Sequence, residues 1–194
     1  MKKVFLLAFV GSSLAASAFS QQAPQPQAPP TTSAFLRNLY NGNKNNILRS
    51  AEKVPGDLYG LRPGAQEEVR TFGQHLAHVA NFNFLWCSQV KGEKNPNAGV
   101  NFERTLKTKA EIQKVLADSF AHCDAAYAGL TDENGAQVLE IQQEDGRVTR
   151  NTRMALLMLN VVHNNEVYGS LATTMRIKSI VPPSSEPRPA QPTR

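Results

Sequence analysis

Beyond its first twenty residues, the chain has no apolar run approaching the ~20 residues that a membrane-crossing helix needs, so none is expected in the mature protein. Cysteine is scarce. Cys87 and Cys123 are the only two in 194 residues, so the chain can hold one disulfide at most. Neither follows the N-terminal small-residue zone, which argues against a bacterial lipoprotein anchor. There is no run of five basic residues and no internal repeat. The net charge of +5 comes from 21 Lys+Arg against 16 Asp+Glu, spread along the chain. That surplus reads as ordinary solubility rather than a nucleic-acid footprint.

The two ends are distinctive. Lys2 and Lys3, an apolar stretch from Val4 to Val10 and small residues from Gly11 to Ser20 read as a secretory signal. Ala18 and Ser20 suit the small-residue positions of a signal-peptidase site, so residues 1–20 are expected to be removed. This takes away two lysines and no acid, and the net charge falls from +5 to +3. A periplasmic or secreted protein is expected. Residues 21–32 are Pro/Gln-rich and read as a flexible leader. Val181–Arg194 carries five prolines and should wander over the surface. The folded unit is therefore read as 33–183, followed by a disordered tail over 184–194.

Four helical segments fill that unit, giving an all-α, four-helix-bundle expectation. The first runs from about Ser33 to Lys53, with Thr32 or Ser33 as N-cap and Pro55-Gly56 as its stop. Leu36, Tyr40, Ile47, Ala51 and Val54 recur along one face. The second, from about Thr71 to Lys91, carries Phe72, Leu76, Val79, Trp86 and Val90, and Gly92 ends it. The third opens on a capping box, Thr108-Lys109-Ala110-Glu111, in which hydroxyl and carboxylate each satisfy an orphan amide. Gly129 stands at its C-cap. The fourth runs from about Thr152 to Lys178. Between the last two, Asp145-Gly146 is flanked by apolar residues and reads equally as a short hairpin or an ordered loop.

The cysteines bear on topology. Each lies about 15 residues into its helix, roughly 22 Å from the helix start at ~1.5 Å per residue. Parallel second and third helices place them at one height, whereas antiparallel ones separate them by more than ~10 Å, outside disulfide geometry. The connection from Gly92 to Lys107 is long enough to cross back at ~3.3 Å per residue. A Cys87–Cys123 disulfide therefore goes with an up-down-down-up bundle and a long crossover between helices 2 and 3. Two buried free thiols are the alternative.

His75 and His78 lie three apart on helix 2, with His78 on the inward side beside Val79. His163 lies mid-way along helix 4. Imidazoles facing each other across a bundle can chelate Zn, Ni or Fe(II), and a catalytic centre takes about three protein donors plus a water. Two polar core histidines with ordinary hydrogen-bond partners are the plainer reading.

Two stretches carry a resemblance. Arg70–Ala80 (RTFGQHLAHVA) is similar to the second helix of DinB/YfiT-like proteins, a superfamily of metal-dependent enzymes, and Asn160–Gly169 (NVVHNNEVYG) is similar to their last helix. Arg176–Pro183 resembles the closing segment of an exported subgroup. The resemblance implies a triad of one histidine on helix 2 and a His-x-x-x-His pair on the last helix. His78 and His163 match two positions, and the third is Val167, which has no lone pair. Thr174 stands where the subgroup has tyrosine. Three outcomes stay open: a dead site, a weak two-histidine site, or one completed by His75, with Glu166 as a further oxygen donor. Asn160, Glu166 and Tyr168 are candidate pocket residues, and Tyr59, Arg62 and Arg70 a candidate pocket mouth. A hydrolase-like enzyme and a non-catalytic bundle binding a small ligand or protein partner both follow from this. Hydrolysis suits an exported compartment better than thiol transfer does. A homodimer is a further implication of the resemblance.

Overall fold

The computed structural model describes residues 30–143 and 146–187. The expected signal, the leader up to residue 29 and the tail from residue 188 lie outside the described residues. The chain is mostly helical, with four long helices, two single-turn ones and one two-stranded hairpin among the described residues: α1 Thr32–Lys53, α2 Phe72–Lys91, α3 Phe102–Thr105, α4 Lys109–Ala128, α5 Asp132–Gly135, β1 Val138–Gln142, β2 Val148–Thr152 and α6 Arg153–Ile177.

Local capping explains where the long helices begin. Thr71 and Gln74 form a reciprocal capping box on α2, and Thr108 and Glu111 form one on α4. Thr152 caps α6 through Ala155 N. The cap of α1 is Thr31, one residue before Thr32 and two before Ser33, the expected positions. Thr31 accepts from Ala34 N at 3.1 Å, while the Asp132 carboxylate takes the amides of Thr32 and Ser33 at 3.3 and 2.7 Å. A distant carboxylate thus satisfies amides that the local sequence leaves open. Gly92 closes α2 at φ +67°, a left-handed conformation suited to glycine.

Contacts between helices fix their relative directions. Asn83 and Cys87 of α2 meet Ser119 and Cys123 of α4, so these two helices run the same way. Asn83 also meets Asn160 and Asn164, while Arg153 reaches Val90 O, so α6 runs opposite to α2. Tyr40 of α1 bonds Asp124, and Gln113 bonds Ala51 O, so α1 opposes α4. The buried residues of all four form one core, with Ile47, Leu76, Leu116 and Leu157 fully covered. Cys87 and Cys123 form a disulfide with Cα atoms 5.2 Å apart.

One segment takes the first of its two expected forms, and another departs from expectation. The stretch around Gly146 is a hairpin, with Val138 opposite Thr152 and Gln142 opposite Val148. The start of the proline-rich tail is packed rather than wandering: Pro183 is buried in a short 3-10 turn, Pro183–Ser185. Tyr168 Oη receives the Ser184 amide at 3.0 Å, and Glu186 pairs with Lys53 at 2.6 Å and with Arg49. Prolines forbid helix, but they do not prevent docking by the residues between them.

Candidate metal centre

His78 faces inward one turn before Phe82 on α2, and His163 meets it from α6. Their ring centroids are 4.9 Å apart, with planes inclined by 42°. Phe82 lies against both imidazoles, at 4.7 and 4.6 Å, and Trp86 stands edge-on to His163 at 5.1 Å. The site is a half-buried aromatic cluster with two imidazoles in it.

Each imidazole is held at Nδ1. Glu103, on α3, takes His78 Nδ1 at 2.5 Å through one carboxylate oxygen and Arg70 Nε at 2.6 Å through the other. Burial raises the Glu103 carboxyl, but the hydrogen bonds and charges of His78 and Arg70 outweigh it and carry the group down to about 2. An ionised carboxylate only accepts, so His78 Nδ1 is the donor and, in the neutral ring, Nε2 keeps the lone pair.

His163 is set by a longer relay. Ser119 gives its hydroxyl proton to Leu116 O and accepts from Asn83 Nδ2 at 3.1 Å. Asn83 Oδ1 then receives Asn160 Nδ2 and Asn164 Nδ2 at 2.8 and 2.9 Å. This turns Asn164 Oδ1 toward His163 Nδ1, 3.3 Å away, which must carry the hydrogen. His163 Nε2 is left buried without a hydrogen-bond partner among the described residues. Burial is also the main cause of the lowered His163 pKa, favouring the neutral ring.

The donor set stops at two. Val167, the third position, is buried and apolar, and among the described residues no three His, Cys, Asp or Glu side chains are grouped to hold an ion. His75 does not join the pair into such a group. Its Nδ1 is buried and unpaired, and burial, with Arg70 and His78 nearby, pushes its imidazole down to about 4. A three-donor centre therefore does not fit these residues; what they present is two imidazoles, one with a buried Nε2 that has no hydrogen-bond partner among the described residues.

The remaining candidates have other tasks. Asn160 is fully buried in the amide relay, where its Oδ1 accepts from Tyr127 at 2.8 Å, so it does not line a pocket. Tyr168 anchors the C-terminal turn. Glu166 is exposed and acts on His163 only through its charge. Thr174 back-bonds to Ser170 O. At the supposed mouth, Tyr59 is buried and donates to Ala51 O, and Arg62 holds Val69 O and Glu67 O. Tyr59 nevertheless borders a cavity of about 230 Å³ that Glu103 also lines, and Arg70 bonds Glu103 directly. Glu103 escaped the sequence reading because it lies 25 residues from His78 in an irregular connection. The charge-and-spacing signals of a helix face do not reach across such a gap.

Comparison with known proteins agrees with this architecture. The family model described as the DinB superfamily matches residues 39–166. A search of curated proteins finds no match. Among solved structures, a DinB-like protein from Bacillus subtilis superposes with a TM-score of 0.57 at 18% identity, over 79% of this chain and 99% of the other. A DinB-like protein from Bacillus cereus gives 0.58 at 15% identity, over 79% and 96%. A mycothiol-dependent maleylpyruvate isomerase gives 0.53 at 16% identity, over 73% of this chain and 61% of its own. The structural likenesses, all below a quarter identity, speak for the fold alone, while the family match spans most of the chain: this protein belongs to the DinB superfamily.

Proposed function

We infer that the protein is an exported DinB-superfamily member, an up-down-down-up bundle that holds one divalent ion, Zn, Ni or Fe(II), between His78 and His163. The observation carrying this is the orientation of the two rings. Both Nδ1 atoms are committed, one to Glu103 and one to Asn164, and His163 Nε2 is buried with nothing to bond. Outer carboxylates on ligating histidines commonly fix the ring in this way. A bound ion supplies Lewis acidity and a water of lowered pKa, the basis of a hydrolase-like activity. This chain's own residues orient the two nitrogens and exclude water on the Phe82 and Trp86 side. With Val167 in third place the site binds more readily than it catalyses, since catalytic zinc centres use about three protein donors. The disulfide and the N-terminal signal pattern support export, because disulfides persist in oxidising compartments.

A second reading has its own support. Phe82 and Trp86 pack closely enough on His163 that the cluster serves equally as a filled, metal-free core of a non-catalytic bundle. Zinc titration of mature protein prepared without chelator or affinity tag separates the two. One equivalent bound, lost in His78→Ala and His163→Ala and tightened in Val167→His, is the expected result. No zinc in the wild type, but binding in Val167→His, would establish the metal-free reading.

A further inference from the structure

A separate cavity of about 270 Å³, bordered by Phe82, lies between α2 and the connection to α3. Its polar lining is four carboxamides, Asn81, Asn95, Asn97 and Asn101, and no charged side chain borders it. Two of them are half used. Asn81 Oδ1 accepts from Phe102 N at 3.2 Å and Asn95 Oδ1 from Asn97 N at 2.9 Å, so the Nδ2 groups of both stay free among the described residues. The side chains of Asn97 and Asn101 make no hydrogen bond among the described residues, and Asn101 leaves the N-cap of α3 without a side-chain bond. Gly99, at φ +79°, turns the backbone of the loop that lines the open side of the cavity.

We propose that this cavity is a binding site for a small neutral polyhydroxylated ligand, a single sugar ring. A carboxamide presents a donor and an acceptor side by side, which matches the paired hydroxyls of a sugar. Four amides with no counter-charge disfavour an ionic ligand, whose desolvation nothing would offset. The Phe82 ring and Leu85 offer an apolar wall for the C–H face of a sugar ring. The volume falls just below the ~300–1,000 Å³ of sites for drug-sized ligands, which selects one ring over a chain of them. The site does not depend on the metal reading, since none of its four amides belongs to the imidazole pair.

The chain supplies its own probe. Trp86 is the only tryptophan, and its ring centroid lies 4.9 Å from that of Phe82. Titrating the full mature protein with glucose, galactose and N-acetylglucosamine, with chelator present throughout, should give a saturable change in tryptophan emission for at least one of them. A dissociation constant on the order of 1 mM is expected. Asn97→Ala and Asn101→Ala, both at the open side, should each weaken that binding about fivefold, the size of one lost hydrogen bond, without changing the thermal midpoint. The proposal is overturned if none of the three sugars saturates, if both variants bind as the wild type does, or if glucuronate binds as tightly as glucose.

Discussion

At the residue scale the decisive group is Glu103. It accepts from His78 and Arg70 at once and so determines which nitrogen of His78 is available. Glu103→Gln keeps the shape but gives up the charge. We expect zinc affinity to fall by about 10–100-fold, as outer-shell changes at metal-bound histidines commonly do. Calorimetry measures the loss, and nitrogen-15 NMR of the His78 ring should show its tautomer shifting. Unchanged affinity would remove Glu103 from the site. His75 makes a different prediction. Its folded value of about 4 lies below its ordinary 6.5, so in that window the unfolded chain holds a proton that the folded chain does not. Stability must therefore fall as pH drops from about 6.5 toward 4. His163, lowered by burial, adds the same sign, whereas Glu103 withdraws its stabilisation only below its ordinary 4.5. The urea midpoint, followed from about pH 7 to 5, should decline in the wild type and less steeply in His75→Gln. Equal slopes would place the effect elsewhere.

At the element scale, the helices were legible because their signals are local. Thr71, Gly92 and Thr108 are punctuation that acts within one turn, and the apolar faces of α1 and α4 repeat at helical spacing. The hairpin was left open because an Asp-Gly pair with apolar flanks suits loop and turn alike. What local signals cannot carry is a polar group whose partners sit on other helices. Asn83 is such a group: fully buried, it serves Ser119 on α4 and Asn160 and Asn164 on α6. Helical spacing offers Phe82 or Asn83 for the buried stripe, but it names no partner for a carboxamide there. Asn83→Ala strands the amide donors of Asn160 and Asn164 in the core, while the Ser119 hydroxyl keeps its bond to Leu116 O. It should cost roughly 2–4 kcal/mol of unfolding free energy in urea, at about 1–3 per unsatisfied group with partial relaxation. It should also weaken zinc binding, because Asn164 no longer has a reason to face His163. A loss well under 1 kcal/mol would mean that the relay adds little to helix packing.

At the scale of the whole molecule, the feature to explain is how a core interrupted by four buried asparagines, Asn43, Asn83, Asn160 and Asn164, and bordered by two half-buried histidines stays in one arrangement. The disulfide ties together the two helices whose parallel course requires the long connection, and it closes 36 residues of chain. Closing a loop of that length restricts the unfolded ensemble and stabilises the folded state by about 3–4 kcal/mol in the chain-entropy account. That is a large share of the ~5–15 kcal/mol typical of a domain. Cys87→Ala with Cys123→Ala should therefore lower unfolding free energy by about that amount, and reductant should bring the wild type to the same value. The site should respond differently. Cys87 lies nine residues beyond His78 on α2, roughly 13 Å along the axis at ~1.5 Å per residue, and the imidazoles are held by Glu103 and Asn164 rather than by the sulfurs. The double variant, below its unfolding transition, should thus bind zinc as the wild type does. If affinity instead falls in step with stability, the disulfide sets the distance between α2 and α6 as well as the register of α2 on α4. The two-imidazole position would then be a property of the whole helical core and not of the residues that line it.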